Sequence, residues 1–513
     1  MDTQVWKQYL PAFMEKTKQF YNGSISQGDY KSFSGFYGSY AQRGGQANML
    51  RLRMPAGQVT KEKMIFTAEM LKKYQVSRMH FTTCQTIQLH DLQPETVCAI
   101  MGEALDAGIM IIGGGGDYPR NVMCPPLSGV QKDEYFDVLP WAQAAGDYLL
   151  NFITEKKMPR KLKVGFSNSP ENITHATYRD LGFAATRQGT FDVYSAGGLG
   201  PNPCFGVKVA DGIEPEMILY YIRAMWLTFL TYGNYESRLK SRTRYMQETL
   251  GGPDAYANAY NEKLKEVFNS GEDLRIRHTD GKGVLKKGDG ANLTHARVLE
   301  QKQDGLYAVS WHPIGGMPAP DTFCALSTAV EKMNDVELRL SPDETAYIIN
   351  LTAKEAEQVM HITKDSAQTV FETSVSCIGA SICQAGARDS QALLAACVKA
   401  VRDAAIPDRA LPQIHISGCP SSCGTHQTGV IGFRGGMKRV DGKPQSGFVL
   451  YVNGCAQQGS ETMGREAGTI LTEKIPEFLV KLGKTVAESG LTFSEWNKEN
   501  KSALDKIAAE YTA

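Results

Sequence analysis

An internal repeat narrows the fold more than any other feature of this chain. One stretch reads RMHFTTCQTIQLHDLQPETVCAIM from Arg78, and another reads ELRLSPDETAYIINLTAKEAEQVM from Glu337, about 260 residues later. Each predicts a strand, a turn, a strand of alternating polarity, and an amphipathic helix opening near Gln93 or Ala353. A Gly/Pro turn and a helix precede each copy, in PAGQVTKEKMIFTAEMLKKY and GGMPAPDTFCALSTAVEKM. Two copies of one βαβ-type half-unit predict a mixed α+β protein with pseudo-twofold halves and a site at their junction.

Around the repeat the 513 residues divide into four expected parts. Residues 1–130 hold the first half-unit, 131–300 mix helices with Gly-rich loops, 301–365 hold the second half-unit, and 366–513 carry the paired cysteines. The span from Gly271 to Ala291, rich in Gly, Lys and Asp, is expected to be an exposed excursion.

Charge and composition exclude several classes. With 55 basic and 55 acidic residues, the chain is not a general nucleic-acid binder. Apolar runs such as Ile109–Ile112 are far too short to span a bilayer. The start, MDTQVWKQYLPAFMEK, has acids and no apolar core like that of a signal peptide. Eleven cysteines with no such segment point to a reducing cytoplasm, where thiols serve metals or redox chemistry. No Walker A or dinucleotide fingerprint occurs, and the glycine run Gly113–Gly116 has the wrong spacing for one. Electrons for any redox chemistry must then come from another protein.

Four of the cysteines fall in two close pairs. Cys377 and Cys383 form C-x5-C in VSCIGASICQAG, and Cys419 and Cys423 form C-x3-C in HISGCPSSCGTHQ. Four thiolates suit a [4Fe–4S] cluster, one sulfur per iron, and the flanking Gly, Pro and Ser let the backbone bend around it. Buried inert cysteines or a structural zinc site are the alternatives, although zinc knuckles usually space their ligands more tightly.

Cations also recur in pairs. Arg51 and Arg53 alternate in MLRLRMPAG, Lys161 and Lys163 in MPRKLKVGF, and Arg242 and Arg244 in KSRTRYM; Arg120 follows the glycine turn in GGGGDYPRNV. On strands, each pair points to one face. That face is either the wet side of a sheet or, with three pairs in apolar surroundings, a convergent anion site.

Taken together, the two-repeat layout, MLRLRMPAG, the TT-x-Q-T-I-Q-L-H strand, the G-D-x-x-R-N-V turn, PRKLK and GCPSSCG resemble the nitrite and sulfite reductases that couple sirohaem to a [4Fe–4S] cluster. The resemblance covers roughly residues 30–460. It implies ferredoxin-like half-domains at 1–130 and 301–365, and sirohaem and iron–sulfur domains at 131–300 and 366–513. It implies that Cys377, Cys383, Cys419 and Cys423 hold the cluster, with Cys423 also the axial ligand of the sirohaem iron. Arg120, Lys161 and Lys163 match three of the family's four substrate-binding cations, where they would attract an oxyanion and offset charge building on its oxygens. Lysine there could also donate protons. Arg51, Arg53, Arg242 and Arg244 are the expected partners of the sirohaem carboxylates.

The fourth cation is absent. The family's TT-R-Q reads TT-Cys84-Gln here. Cys84 is then neutral and costs the pocket a charge, or it is a reactive thiolate beside the other cations, or a cation elsewhere replaces the arginine. Cys124, in RNVMC, could face the same pocket; for both, a buried inert thiol is the plain alternative. The resemblance implies six-electron reduction of sulfite to sulfide or nitrite to ammonium. Lys163 favours sulfite, because nitrite enzymes tend to carry asparagine there; the glycine in CIGASICQ occurs on the nitrite side too. Ferredoxin or a flavoprotein subunit would be the donor. An electron-transfer protein with a retired site, Cys84 being its mark, is the reading from another class.

Overall fold

The computed structural model describes residues 2–279, 283–500 and 502–512. It divides into two compact units: Met1–Gly198, Pro203–Trp311 and Pro318–Lys364 form the first, and Leu199–Asn202, His312–Met317 and Asp365–Ala513 the second. Among the described residues, no helix is long and apolar enough to cross a membrane.

Both half-units lie in the first unit. In the first copy, helix Lys61–Lys73 leads to strands Arg78–Phe81 and Ile87–Leu92 and helix Pro94–Asp106. In the second, helix Pro320–Val330 leads to strands Glu337–Leu340 and Ala346–Leu351 and helix Ala353–Ile362. The expected order of elements therefore recurs in full, in an α+β fold with ferredoxin-like halves. Each strand pair is antiparallel, Phe81 facing Ile87 and Leu340 facing Ala346. The halves are stitched together where Gln58–Val59, ahead of the first helix, pairs with Leu338 and Arg339 of the second copy. They share one apolar core, in which Phe81 packs edge-on against Trp311 and Phe323.

The copies agree down to single hydrogen bonds. Gln85 and Glu344 both adopt left-handed backbone in the turn between the strands. The second strand carries another left-handed residue in each copy, Asp91 and Asn350. Gln42 braces the first: its side-chain oxygen accepts the Asp91 amide at 2.8 Å and its nitrogen donates to the Asp91 carboxylate. Gln301 does the same for Asn350, at 2.6 and 2.9 Å. A kink that turns an amide out of its ladder needs such an acceptor, because a buried unpaired N–H is costly. Gln301→Leu is therefore expected to cost about 1–3 kcal/mol, read as a lower urea midpoint at unchanged slope.

The first unit also contains a four-stranded sheet. Strand Val164–Ser167 runs parallel to Leu181–Ala185, which is followed antiparallel by Phe191–Ser195 and Val207–Ile213. The sheet of the second unit repeats this arrangement. Ile414–Ser417 runs parallel to Ile431–Val440, followed antiparallel by Lys443–Val452 and Arg465–Leu471, with the short strand Val375–Ser376 added at the edge. The loops after the first strands match as well. Asn172 and His175 have positive φ, as do Ser422 and Thr425, and each second residue bonds back to the first. This second repeat, with its copies about 250 residues apart, was not anticipated from the sequence.

The Gly271–Ala291 segment is mostly exposed, but Leu274 and Ile276 are buried in the core beneath it, and Ile276 donates its amide to Glu216. Residues 280–282 of that segment lie outside the described ones.

Candidate functional site

The first unit gathers cations around Cys84. Arg51 lies on strand Asn48–Leu52 and Arg53 just beyond it. Arg51 donates to the Gly114 carbonyl. Arg53, fully buried, donates to the carbonyls of Ile112 and Pro119 at 3.2 and 3.0 Å. Burial, then the neighbouring charges of Arg120 and Arg51, push the Arg53 guanidinium down to about 9. Arg120 donates to Gly114 and Gly116 at 2.7 and 2.8 Å, so the glycine turn supplies carbonyls for two of these arginines. The Nε of Arg120 is buried without a partner. Burial lowers Arg120 to about 10, against the helping charge of Tyr40 and with Arg51 adding to the fall.

Lys161 and Lys163 do not lie within a strand, contrary to the alternation argument. They flank Leu162, which bridges to Pro119, and the strand proper begins at Val164. Arg120 fixes this segment by donating its amide to the Leu162 carbonyl at 2.8 Å. Lys161 is half-buried. Lys163 places its Nζ 3.3 Å from the Sγ of Cys84.

Arg242 and Arg244 are likewise not on a strand; they lie in the turn that leads into helix Tyr245–Thr249. Arg242 donates to both oxygens of Asp180 at 3.0 Å, and this carboxylate is wholly buried. Asp180 also accepts from Thr243 and from the Lys163 amide. Arg244 lies over Tyr245, 5.0 Å from its ring centre, and is held below the ordinary arginine range by burial and then by Arg242.

Cys84 is only partly covered. Burial alone would raise its thiol, but the charges of Lys163, Arg179 and Arg51 outweigh burial and bring it down to about 6. That shift favours the thiolate, one of the alternatives open in the sequence. Cys124 behaves oppositely: it is buried in an apolar core, burial pushes its thiol up, and its backbone is clamped by Gln85. Alkylation of Cys84, followed peptide by peptide, is expected to be half-maximal near pH 6. Lys163→Met should move that midpoint upward, by roughly one unit or more, because it removes the closest stabilising charge.

Arg179 is the residue that pattern reading missed. Its stem lies on Gly165, where an added Cβ would stand 3.4 Å from its Cγ. Its Nε donates to the Thr174 carbonyl at 2.8 Å, and one Nη lies 3.4 Å from His175 Nδ1. No alternating partner marks Arg179 in YRDLG, which is why charge patterning did not find it.

Among the described residues, none of Arg51, Arg53, Arg120, Lys163 and Arg179 forms an ion pair with a carboxylate. Their donors go to backbone carbonyls, a thiol and a histidine. Buried cations are rarely left so. The donor set fits a polyanionic cofactor and a small oxyanion.

In the second unit, Cys377 follows strand Val375–Ser376, and Cys419 and Cys423 lie in the loop after Ile414–Ser417. The two cysteine loops are zipped together. Ala387 and Arg388 donate to the Gly418 carbonyl at 3.0 and 2.8 Å, and Gly418 donates its amide to Cys377 Sγ at 3.2 Å. A Cβ at Gly418 would lie 2.4 Å from the Arg388 carbonyl oxygen, so only glycine allows this approach. Ser390, the first residue of helix Ser390–Asp403, sits 3.2 Å from the same sulfur. Burial raises the Cys377 thiol, while the Gly418 amide and Ser390 favour its thiolate. Cys377, Cys383 and Cys419 are partly covered and Cys423 is exposed. Among the described residues, no three His, Cys, Asp or Glu side chains are grouped to hold a single metal ion. Four soft thiols on two interlocked, amide-donating loops fit a [4Fe–4S] cluster. Arg388, whose Nε is buried without a partner, is a further cation on these loops that pattern reading missed.

Fold and sites together define a redox protein built for an iron–sulfur cluster and an anion-bearing cofactor. Residues 40–107 match the nitrite/sulfite reductase ferredoxin-like half domain, and 115–268 match the nitrite and sulphite reductase 4Fe-4S domain. The latter falls on the copy that has Ser169 and Ile173 where the second has Cys419 and Cys423. A ferredoxin–nitrite reductase of Leptolyngbya laminosa is 25% identical over 444 residues, covering 83% of each chain. A ferredoxin-dependent sulfite reductase of Mycolicibacterium paratuberculosis is 22% identical over 466 residues, covering 87% of this chain and 81% of its own. The solved structure of the Mycobacterium tuberculosis NirA protein has the same fold, with a TM-score of 0.77 at 19% identity over 96% of this chain and 94% of that one. The chain thus carries nitrite and sulfite reductase domains at residues 40–107 and 115–268. It is an oxidoreductase, and the cofactors expected with such domains are sirohaem and a [4Fe–4S] cluster.

Proposed function

We propose that this chain catalyses the six-electron reduction of a small oxyanion, with sulfite its preferred substrate and sulfide its product. The observation that carries this reading is the group of cations without carboxylate partners near Cys84, Arg53 buried and Arg120, Lys163 and Arg179 half-buried. Cys377, Cys383, Cys419 and Cys423 would hold the cluster, and Cys423 would also help hold the sirohaem. Arg51, Arg53 and Arg244 would meet sirohaem carboxylates. Arg242 has less to give, since it already spends two bonds on Asp180. When bound, the coupled cofactors would supply electrons to the central atom of the substrate.

The chain's own residues do the rest. Arg120 and Lys161 would hold the anion's oxygens and offset charge as it builds there. Lys163 would share its ammonium between Cys84 and the substrate and pass a proton to an oxygen that is leaving. Ferredoxin would be the donor, in keeping with the ferredoxin dependence in the names of several relatives.

Nitrite is the second reading, and one observation favours it. The Cys84 thiolate neutralises part of Lys163, which suits a less charged anion. Anaerobically purified enzyme with a reduced dye as donor decides between them, through the ratio of kcat/KM for the two anions. A ratio above one for sulfite over nitrite is expected. A ratio well below one moves the assignment to nitrite, and turnover of neither removes both.

A further inference from the structure

The chain lacks a cation at position 84; Lys163 reaches that position with its Nζ 3.3 Å from Cys84 Sγ, and Arg179 lays its stem on Gly165, two residues along from Lys163. Asp180, next to Arg179 in sequence, cannot neutralise it in the way it neutralises Arg242. Both Asp180 oxygens are engaged by Arg242, and Thr243 and the Lys163 amide use the same carboxylate. One edge of the Arg179 guanidinium is fixed by the Thr174 carbonyl and His175 Nδ1. A guanidinium has five N–H donors, so anchoring leaves others to spend. Gly165 makes room for the stem. In the second copy of this loop the matching residue is Gly429, where a Cβ would stand 2.5 Å from the His415 ring, so that copy has no place for such a side chain.

We propose that Arg179 is the substrate-binding cation this pocket uses in place of an arginine at position 84. The proposal rests on the reading of the site as an oxyanion reductase and adds a residue to it. It follows from charge and reach. An anchored guanidinium presents a fixed pair of donors, which suits two oxygens of one oxyanion. The Cys84 sulfur, 3.3 Å from the Lys163 ammonium, would occupy the anion side of the pocket until substrate arrives. Substrate would then take over the Arg179 donors with no new side chain needed.

The test uses holoenzyme with sirohaem and iron counted per chain. Arg179→Gln is expected to raise KM for the preferred anion at least ~10-fold, with a smaller change in kcat and full cofactor content. The same variant should move the alkylation midpoint of Cys84 upward, a readout that needs no turnover. Adding Cys84→Arg to Arg179→Gln should bring KM back toward the parent value, because a cation then stands on the other side of the same space. An unchanged KM in Arg179→Gln overturns the proposal. Loss of sirohaem with KM preserved in the remaining loaded enzyme also overturns it and makes Arg179 a cofactor partner. Failure of the double variant to recover overturns the substitution of one cation for the other. If the parent reduces neither anion, the reductase reading itself fails. Optical titration of the parent and Arg179→Gln with sulfite and nitrite then still decides whether Arg179 binds an oxyanion: weaker binding in the variant supports it, and equal binding overturns it.

Discussion

Cys377→Ser is expected to strip the iron–sulfur cluster and abolish turnover while leaving the fold in place. Iron and acid-labile sulfide should fall at least ~10-fold per chain, and dye-driven reduction of either anion at least ~1,000-fold, because a serine oxygen is a poor match for cluster iron and the cluster would carry the electrons to the substrate. The fold should survive because the change is close to isosteric and the zipper between the loops is mostly backbone: Ala387 and Arg388 still donate to Gly418. The control is Cys397→Ser in the same unit. Cys397 sits in the apolar core beneath the sheet, fully buried, and burial holds its thiol protonated. Putting a hydroxyl there should cost stability but no iron. Cys377→Ser protein that keeps its iron would remove Cys377 from the ligand set.

How much of this was readable in advance depends on what kind of signal each feature leaves. The half-unit repeat was legible because its apolar periodicity is strong and both copies keep the same turn chemistry. Gln85 and Glu344 sit at the same left-handed position, and Gln42 and Gln301 make the same brace, though the braces lie far from the motifs that revealed the repeat. The second repeat was not legible. Of its loop and flanking strands, little more than Ser167, Pro170, Gly182 and Phe183 recurs, as Ser417, Pro420, Gly432 and Phe433. What is shared there is backbone shape, and many side chains produce one shape.

The cations show the same division. Alternation flagged Arg51, Arg53, Lys161, Lys163, Arg242 and Arg244 as a set, but on a local basis the structure does not share. Only Arg51 lies in a strand; the lysines are in an extended lead-in and the last two arginines in a turn. Glycine carbonyls, an aspartate and a thiol decide what each does, and those partners come from remote parts of the chain. Arg179 had no periodic companion and emerged only once its stem was seen to lie on Gly165, two residues from Lys163. The state of Cys84 needed the same information, since burial and the surrounding cations push its thiol in opposite directions and the sequence gives the weight of neither.

Gly432→Ala is expected to be the most damaging single-methyl change in the second unit. A Cβ on Gly432 would lie 1.9 Å from the carbonyl oxygen of His426 and 2.7 Å from its carbon. These are backbone atoms in the loop that carries Cys419 and Cys423, so relief cannot come from a side-chain rotation. Either the strand Ile431–Val440 shifts or the loop does. The cost should be about 3 kcal/mol or more, at the upper end for overpacking, and visible as a lower melting temperature. The first unit offers a matched comparison. Gly182 meets the Ala176 carbonyl oxygen at 1.7 Å, in a loop that has Ser169 and Ile173 instead of cysteines. Gly182→Ala should therefore destabilise about as much, but Gly432→Ala alone should lower iron content, because only its loop presents proposed cluster ligands. Equal iron loss in both variants would show that the cluster responds to general destabilisation rather than to this loop. Parent-like melting of Gly432→Ala would show that the contact between loop and strand is not what holds the cysteines in place.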